Sequence, residues 1–298
     1  MTKFKSIFSL FFIFSSAFLF AQGGDIQIKA EKVTDQIYML KGRGGNIGLF
    51  IGEDAVFMID DQFAPLTPKI LAAIKEITPK KVSYLINTHW HGDHTGGNEN
   101  MGKEGALIVA HDNVRKRMSV ESVRRGRTVP AAPKVALPVI TFDKDLTFHI
   151  NGDDVLASHV HNAHTDGDAF IYFANNNVLH TGDSFFNTGF PYIDLTSGGS
   201  IDGYIEGMKK MLLIVDENTK IIPGHGNMAT KKDLETYLDM LNILRSRVQA
   251  EIDKGKSVEE VKTNADITKG YESKSWWITE EGIRETIYLS LKAKKNNG

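Results

Sequence analysis

The chain has 298 residues, of which 41% are hydrophobic and 24% charged, with 27 glycines, 8 prolines and no cysteine. That balance excludes a disordered chain, a collagen and a disulfide scaffold, and the length is ample for a buried core. The absence of cysteine removes thiolate nucleophiles and Cys-ligated metal sites, and a net charge of −2 gives no bulk signal for a nucleic-acid partner.

Lys3 and Lys5 precede an apolar run from Ile7 to Phe20, which ends at Ala21 before Gln22 and Gly23. This order of charge, apolar core and small residue reads as a secretory signal peptide over residues 1–21. The run is short for a membrane-spanning helix. The expectation is a periplasmic or secreted protein with no stable membrane anchor after cleavage, its residues 22–298 forming one domain. A Cys-free chain suits an oxidising compartment, where stray thiols mispair.

The β-like segments Ile26–Ala30, Ile37–Leu40, Asn46–Ile51 and Ala55–Asp60 come first, punctuated by Gly42, Gly44, Gly45 and Gly52. Thr67-Pro68 reads as the cap and first residue of a helix through Lys75, with Ile70, Leu71 and Ile74 on one face. Val82–Asn87 is an apolar strand. A second β-like series follows at Leu107–Ala110, Leu146–Ile150, Val155–Val160, Ala169–Phe173 and Val178–Thr181. Helices are then expected over Ile201–Val215, Lys232–Lys254, Ser257–Asn264 and Glu280–Lys292, with a strand at Lys220–Pro223. Strand-rich halves each followed by helices suggest an α/β fold of two sheets packed face to face with helices outside.

The chemistry concentrates at His89-Trp90-His91-Gly92-Asp93-His94, directly after a strand end. Imidazole and carboxylate are the metal donors open to a Cys-free chain. His89 and His91, two apart, project from the same side in extended geometry. Gly92 permits a turn that aims Asp93 and His94 at a second point. A metal for each pair is the natural reading.

The run Thr88 to Asn98 resembles the signature of the metallo-β-lactamase superfamily, and later landmarks recur in order: His164-Thr165-Asp166-Gly167-Asp168, Thr181-Gly182-Asp183 and Pro223-Gly224-His225-Gly226. Upstream, Met58-Ile59-Asp60 resembles the strand whose acid supports the metal loop. The resemblance spans nearly all of residues 22–298. It implies an αββα sandwich, two mixed β-sheets flanked by helices, with the metals at one sheet edge. It also implies a ligand set: His89, His91 and His164 for one metal, Asp93, His94 and His225 for a second, and Asp183 bridging them. The implied cofactor is a pair of divalent ions, zinc first, with Mn or Fe admitted by an oxygen bridge.

Within that family, the first β-lactamase subclass carries cysteine where Asp183 stands, and another lacks the bridging acid. His94 together with Asp183 resembles instead the broader branch of glyoxalase II-type thioesterases, lactonases and phosphodiesterases. His rather than an acid at position 91 departs from the flavodiiron branch. The resemblance implies a hydrolase, and the leader an exported one, in which a metal-bridged hydroxide attacks a small lactam, lactone, ester or thioester, with Asp93 orienting the nucleophile. A phosphodiesterase or nuclease of the same fold and a non-hydrolytic metal-binding or redox-relay protein are the alternatives. Three further features are open on sequence alone. The glycine-flanked segment 42–46 reads as a turn or a loop over the site. Phe185, Phe186, Phe190 and Tyr192 read as core or as pocket lining. Arg115, Lys116, Arg117, Arg124, Arg125 and Arg127 read as a solvated helix face or an anion site. Trp276 and Trp277 are expected to anchor the last helix, and His161 to stand behind His164. Nothing in the sequence speaks to oligomeric state.

Overall fold

Period-two alternation along the strands sorts the apolar residues onto two faces, and the chain is layered accordingly. The computed structural model describes residues 26–124, 127–272 and 278–296; the segment read above as a signal peptide, Arg125, Trp276 and Trp277 lie outside them. In chain order the first strands are β1 (Lys29–Lys32), β2 (Ile37–Lys41), β3 (Ile47–Ile51), β4 (Val56–Ile59), β5 (Tyr84–Asn87) and β6 (Leu107–His111), with helices α1 (Thr67–Ile77), α2 (Gly92–Thr95), α3 (Asn98–Lys103) and α4 (Asp112–Met118) between or after them. A hairpin of β7 (Ser122–Arg124) and β8 (Arg127–Val129) leads to β9 (Ile140–Phe142). The second half holds β10 (Asp145–Ile150), β11 (Asp153–Val160), β12 (Asp168–Phe173), β13 (Val178–His180), β14 (Phe186–Asn187), α5 (Ile201–Leu212), β15 (Lys220–Ile222), β16 (His225–Gly226), α6 (Lys231–Asp253), α7 (Val258–Thr263) and α8 (Glu280–Asn296).

The first sheet runs β1-β2-β3-β4-β5-β6-β9, antiparallel through β4 and parallel beyond it. The second runs β10-β11-β12-β13-β15, antiparallel except for the parallel β13–β15 pair. Phe57 and Ile59 of β4 point inward to meet Val155, Ala157, Ile171 and Phe173 of the second sheet. Their neighbours Val56 and Met58 point outward onto Ile70 and Ile74 of α1. On the far side Phe170, Leu179 and Ile221 pack under α5, α6 and α8. The expected αββα sandwich is therefore the fold observed. Aromatic rings pin the inner faces together: Phe50 meets Phe173 edge-on at 5.1 Å, and Phe57 meets Phe148 at 5.1 Å.

Three local expectations need correction. Thr67 does not cap α1: a 3-10 turn over Ala64–Leu66 runs straight into the helix, so Leu66 takes the cap position with no side-chain cap bond. The first strand begins at Lys29 rather than Ile26. The hairpin β7–β8 and edge strand β9 were not expected from a segment rich in charge and proline. The long helix α6 matches its pattern, with Leu234, Tyr237, Leu241, Leu244 and Val248 buried on one face and a Thr230–Asp233 capping box at its start.

Candidate metal centre

The two sheets present strand ends along one edge, and the candidate residues follow those ends. His89 to His94 follow β5, His164 follows β11, Asp183 follows β13, and His225 comes just after β15. His91 takes the cap position of the one-turn helix α2, whose His94 and Thr95 N–H groups donate to the His91 carbonyl. That turn separates the His89–His91 pair from Asp93 and His94.

All seven sequence-predicted residues converge. His89, His91, His164 and Asp183 form one group and Asp93, His94 and His225 another, with donor atoms inside each group within 4.8 Å of one another. Asp183 faces both groups. Its Oδ2 lies 3.7 Å from His89 Nε2 and 3.5 Å from His164 Nε2, while Oδ1 lies 3.1 Å from His94 Nε2 and 3.5 Å from His225 Nε2. Asp93 Oδ2 is 3.3 Å from His225 Nε2.

The outer nitrogens show that this donor set fits cations. Asp60 Oδ2 stands 2.7 Å from His94 Nδ1, and the Tyr192 carbonyl stands 2.7 Å from His164 Nδ1. Asp194 Oδ2 stands 3.0 Å from His91 Nε2. Thr88 Oγ1 donates to Asp60 Oδ2 at 2.7 Å and so is free to accept from His89 Nδ1 at 3.1 Å. Carboxylates and carbonyls only accept, so each of these rings holds a proton on its outer nitrogen, and the inner nitrogen is the one that can offer a lone pair to a cation. His91 Nδ1 and His164 Nε2, the inner nitrogens of two of these rings, face each other at 2.8 Å. His89 Nε2 and Asp183 Oδ1 are buried without a hydrogen-bond partner. Buried lone pairs in such company need a cation, and imidazoles backed by carboxylate or carbonyl are how proteins orient metal ligands.

Charge is distributed unevenly between the groups. Burial strips the proton from the His164 imidazole, holding it at about 4 with His91 adding to the effect. Burial also opposes charge on His225, but the Asp183 and Asp93 carboxylates outweigh it and raise the ring to about 9. Burial likewise opposes the Asp93 carboxylate, and His94 and His225 hold it down at about 2.

Several tight backbone approaches frame the cluster. Asp60 adopts φ +60°, a left-handed conformation unusual for a non-glycine residue, and there its carboxylate also accepts from the Thr88 N–H at 2.8 Å. Gly45 packs against the His94 ring and Gly224 against Asp183. The 42–46 segment is thus part of the wall of the site, with Asn46 Nδ2 donating to the Pro223 and Gly226 carbonyls. Phe185, Phe186 and Phe190 are core residues. Phe186 also stacks on His225 at 5.3 Å and meets His164 edge-on at 5.9 Å, so it walls the cluster as well. Arg117 is engaged in a two-point bond to Asp166 and lies over Trp90, while Arg115 donates to the Pro138 carbonyl. His161 does not back His164: it is exposed and lies beside His159. The Tyr192 carbonyl fills that outer role for His164, and Asp194 fills the corresponding one for His91. The short polar run Asp194-Leu195-Thr196-Ser197 was a turn signal in the sequence, but nothing in it named the ring it serves.

The chain is 24% identical over 285 residues to the Beta-lactamase-like protein 2 homolog of Caenorhabditis elegans, covering 90% of this chain and 87% of that protein. It is 28% identical over 150 residues to a hydroxyacylglutathione hydrolase of Nitrosococcus oceani, covering 49% of each; the chain spans about half the length of the relatives of that name. The fold is similar to that of the metallo-beta-lactamase from Pontibacter korlensis, with a TM-score of 0.61 at 17% identity over 72% of this chain and 99% of that one. Fold, donor set and relatives together define a metallo-hydrolase. The chain belongs to the metallo-beta-lactamase superfamily, whose sequence pattern matches residues 40–225 and whose members typically bind two divalent metals.

Proposed function

We propose that this protein is an exported hydrolase of small acyl substrates, lactam, lactone, ester or thioester, working with two zinc ions. The observation that carries the reading is the convergence of seven donors whose histidines, His225 apart, have outer nitrogens backed by fixed acceptors. His89, His91 and His164 would hold one ion and Asp93, His94 and His225 the other, with one oxygen of Asp183 turned to each group. When bound, such ions supply Lewis acidity and acidify water at neutral pH.

The chain's own residues do the rest. Asp93 has the most exposed side chain of the seven donors, at 29%, and its carboxylate, held down at about 2 by His94 and His225, stays ionised at neutral pH. From there the carboxylate would accept a hydrogen bond from the attacking water and so orient it. Asp60, Thr88, Tyr192 and Asp194 keep the rings from turning. The relatives named for hydroxyacylglutathione hydrolysis support an acyl substrate, and the signal-like N-terminus favours one outside the cytoplasm.

The test is hydrolysis of a chromogenic cephalosporin, a thioester, a lactone and a phosphodiester by zinc-loaded protein, with and without chelator. Chelator-sensitive turnover of an acyl substrate is expected. Turnover confined to the phosphodiester overturns the acyl reading. Mass spectrometry of the exported protein, showing an N-terminus near Gln22, tests the leader.

A further inference from the structure

The segment 192–199 gives no donor atom to either group of the cluster, yet it reaches the back of two donor rings. The Tyr192 carbonyl meets His164 Nδ1 and Asp194 Oδ2 meets His91 Nε2. Asp194 is itself firmly held. Its Oδ1 accepts from the N–H groups of Thr196 and Ser197 at 3.1 and 3.2 Å and from Thr196 Oγ1 at 2.6 Å. Its Oδ2 accepts from Ser197 Oγ at 2.6 Å. Its N–H donates to the His164 carbonyl, and its own carbonyl accepts from the Gly199 N–H, both at 2.9 Å. The residue is 7% exposed. A carboxylate so anchored has one remaining task within reach, the His91 ring. The second group has a separate backing: Asp60, at the end of β4, serves His94.

We propose that Asp194 is the positioning residue of the first metal subsite. By accepting from His91 Nε2 it fixes the tautomer and ring plane in which Nδ1 is the ligand atom, and it does so independently of the Asp60–His94 support. This inference rests on reading the seven residues as a two-cation centre.

The test compares zinc binding by the intact protein with that of Asp194→Asn. An asparagine Oδ1 retains the bonds from Thr196 and Ser197, but its amide NH2 faces His91 Nε2 donor to donor. The ring then has to carry its proton on Nδ1, where a cation cannot bind it. The parent protein is expected to take up two zinc ions per chain. In Asp194→Asn one is weakened roughly 10- to 100-fold in chelator competition while the other is unchanged. The visible spectrum of the cobalt-substituted variant should lose the contribution of one site. Ser197→Ala, which trims the loop but keeps the carboxylate against the imidazole, is expected to keep both sites. Nitrogen NMR of the zinc-loaded parent reads the same assignment without a variant, expecting a proton on His91 Nε2. An Asp194→Asn protein that binds both ions as the parent does, an equal loss in Ser197→Ala, or a proton on His91 Nδ1 overturns the proposal. A parent protein that binds fewer than two ions overturns the two-cation reading first.

Discussion

A methyl group on Gly45 would lie 2.1 Å from His94 Cε1, and one on Gly224 would lie 2.1 Å from Asp183 Oδ1. Neither neighbour can retreat, because Asp60 holds His94 from behind and Asp183 is boxed in by histidines. Gly45→Ala is therefore expected to cost about 1–3 kcal/mol through overpacking and to release metal from the His94 group first, as zinc per chain after dialysis would show. The donor residues were legible in the sequence because His89 to His94 sit together and the later three lie in short glycine-marked motifs. Their supports were less so. Asp60 was legible by resemblance, but the Tyr192 contribution is a backbone carbonyl, which has no residue signature. Asp194 serves a ring 103 positions away in the chain.

At the scale of elements, the short helix α4 clasps the loop that carries His164. His111 caps α4 by accepting from the Asn113 N–H, Asn113 Nδ2 donates to the Asp166 carbonyl, and Arg117 makes its two-point bond to the Asp166 carboxylate. Since both partners of that bond are partly exposed, Arg117→Met is expected to cost only about 0.5–1 kcal/mol in urea unfolding. It should also raise amide exchange in residues 164–168. The longer elements were legible from period and length, as in α6 and the inner strands. The hairpin β7–β8 and strand β9 were not, because three residues each are too few for a period to emerge and tertiary contacts decide them: of the arginines read as one helix face, Arg115 and Arg117 lie on α4 but Arg124 and Arg127 lie on the hairpin strands.

For the whole molecule, acid is the stress the fold is built to feel. His111 and His159 stack at 3.8 Å, nearly parallel, and burial lowers both. His159 stands at about 4 against an ordinary 6.5. A base whose folded pKa is depressed favours folding fully above its unfolded value and loses that contribution as pH falls. The melting temperature should thus drop as pH falls from 6.5 toward 4, and His159→Gln should shrink the drop relative to the parent. A drop of equal size in the variant would show that the acid-labile groups lie elsewhere.

The donor rings that face each other across the cluster are far apart along the chain: His91 and His164 by 73 residues, His94 and His225 by 131. Ions gripped by such rings would act as late-closing crosslinks between two sheets that must already be docked. Such a site closes only when both sheets present their ligands together, so the expectation is that its ions stabilise the finished fold and not the transition state. Zinc should therefore leave the refolding rate nearly unchanged and slow unfolding, a difference that stop-flow chevrons with and without zinc would record. A protein with that asymmetry is hard to lose once assembled, and its lifetime is governed by how tightly it keeps its ions.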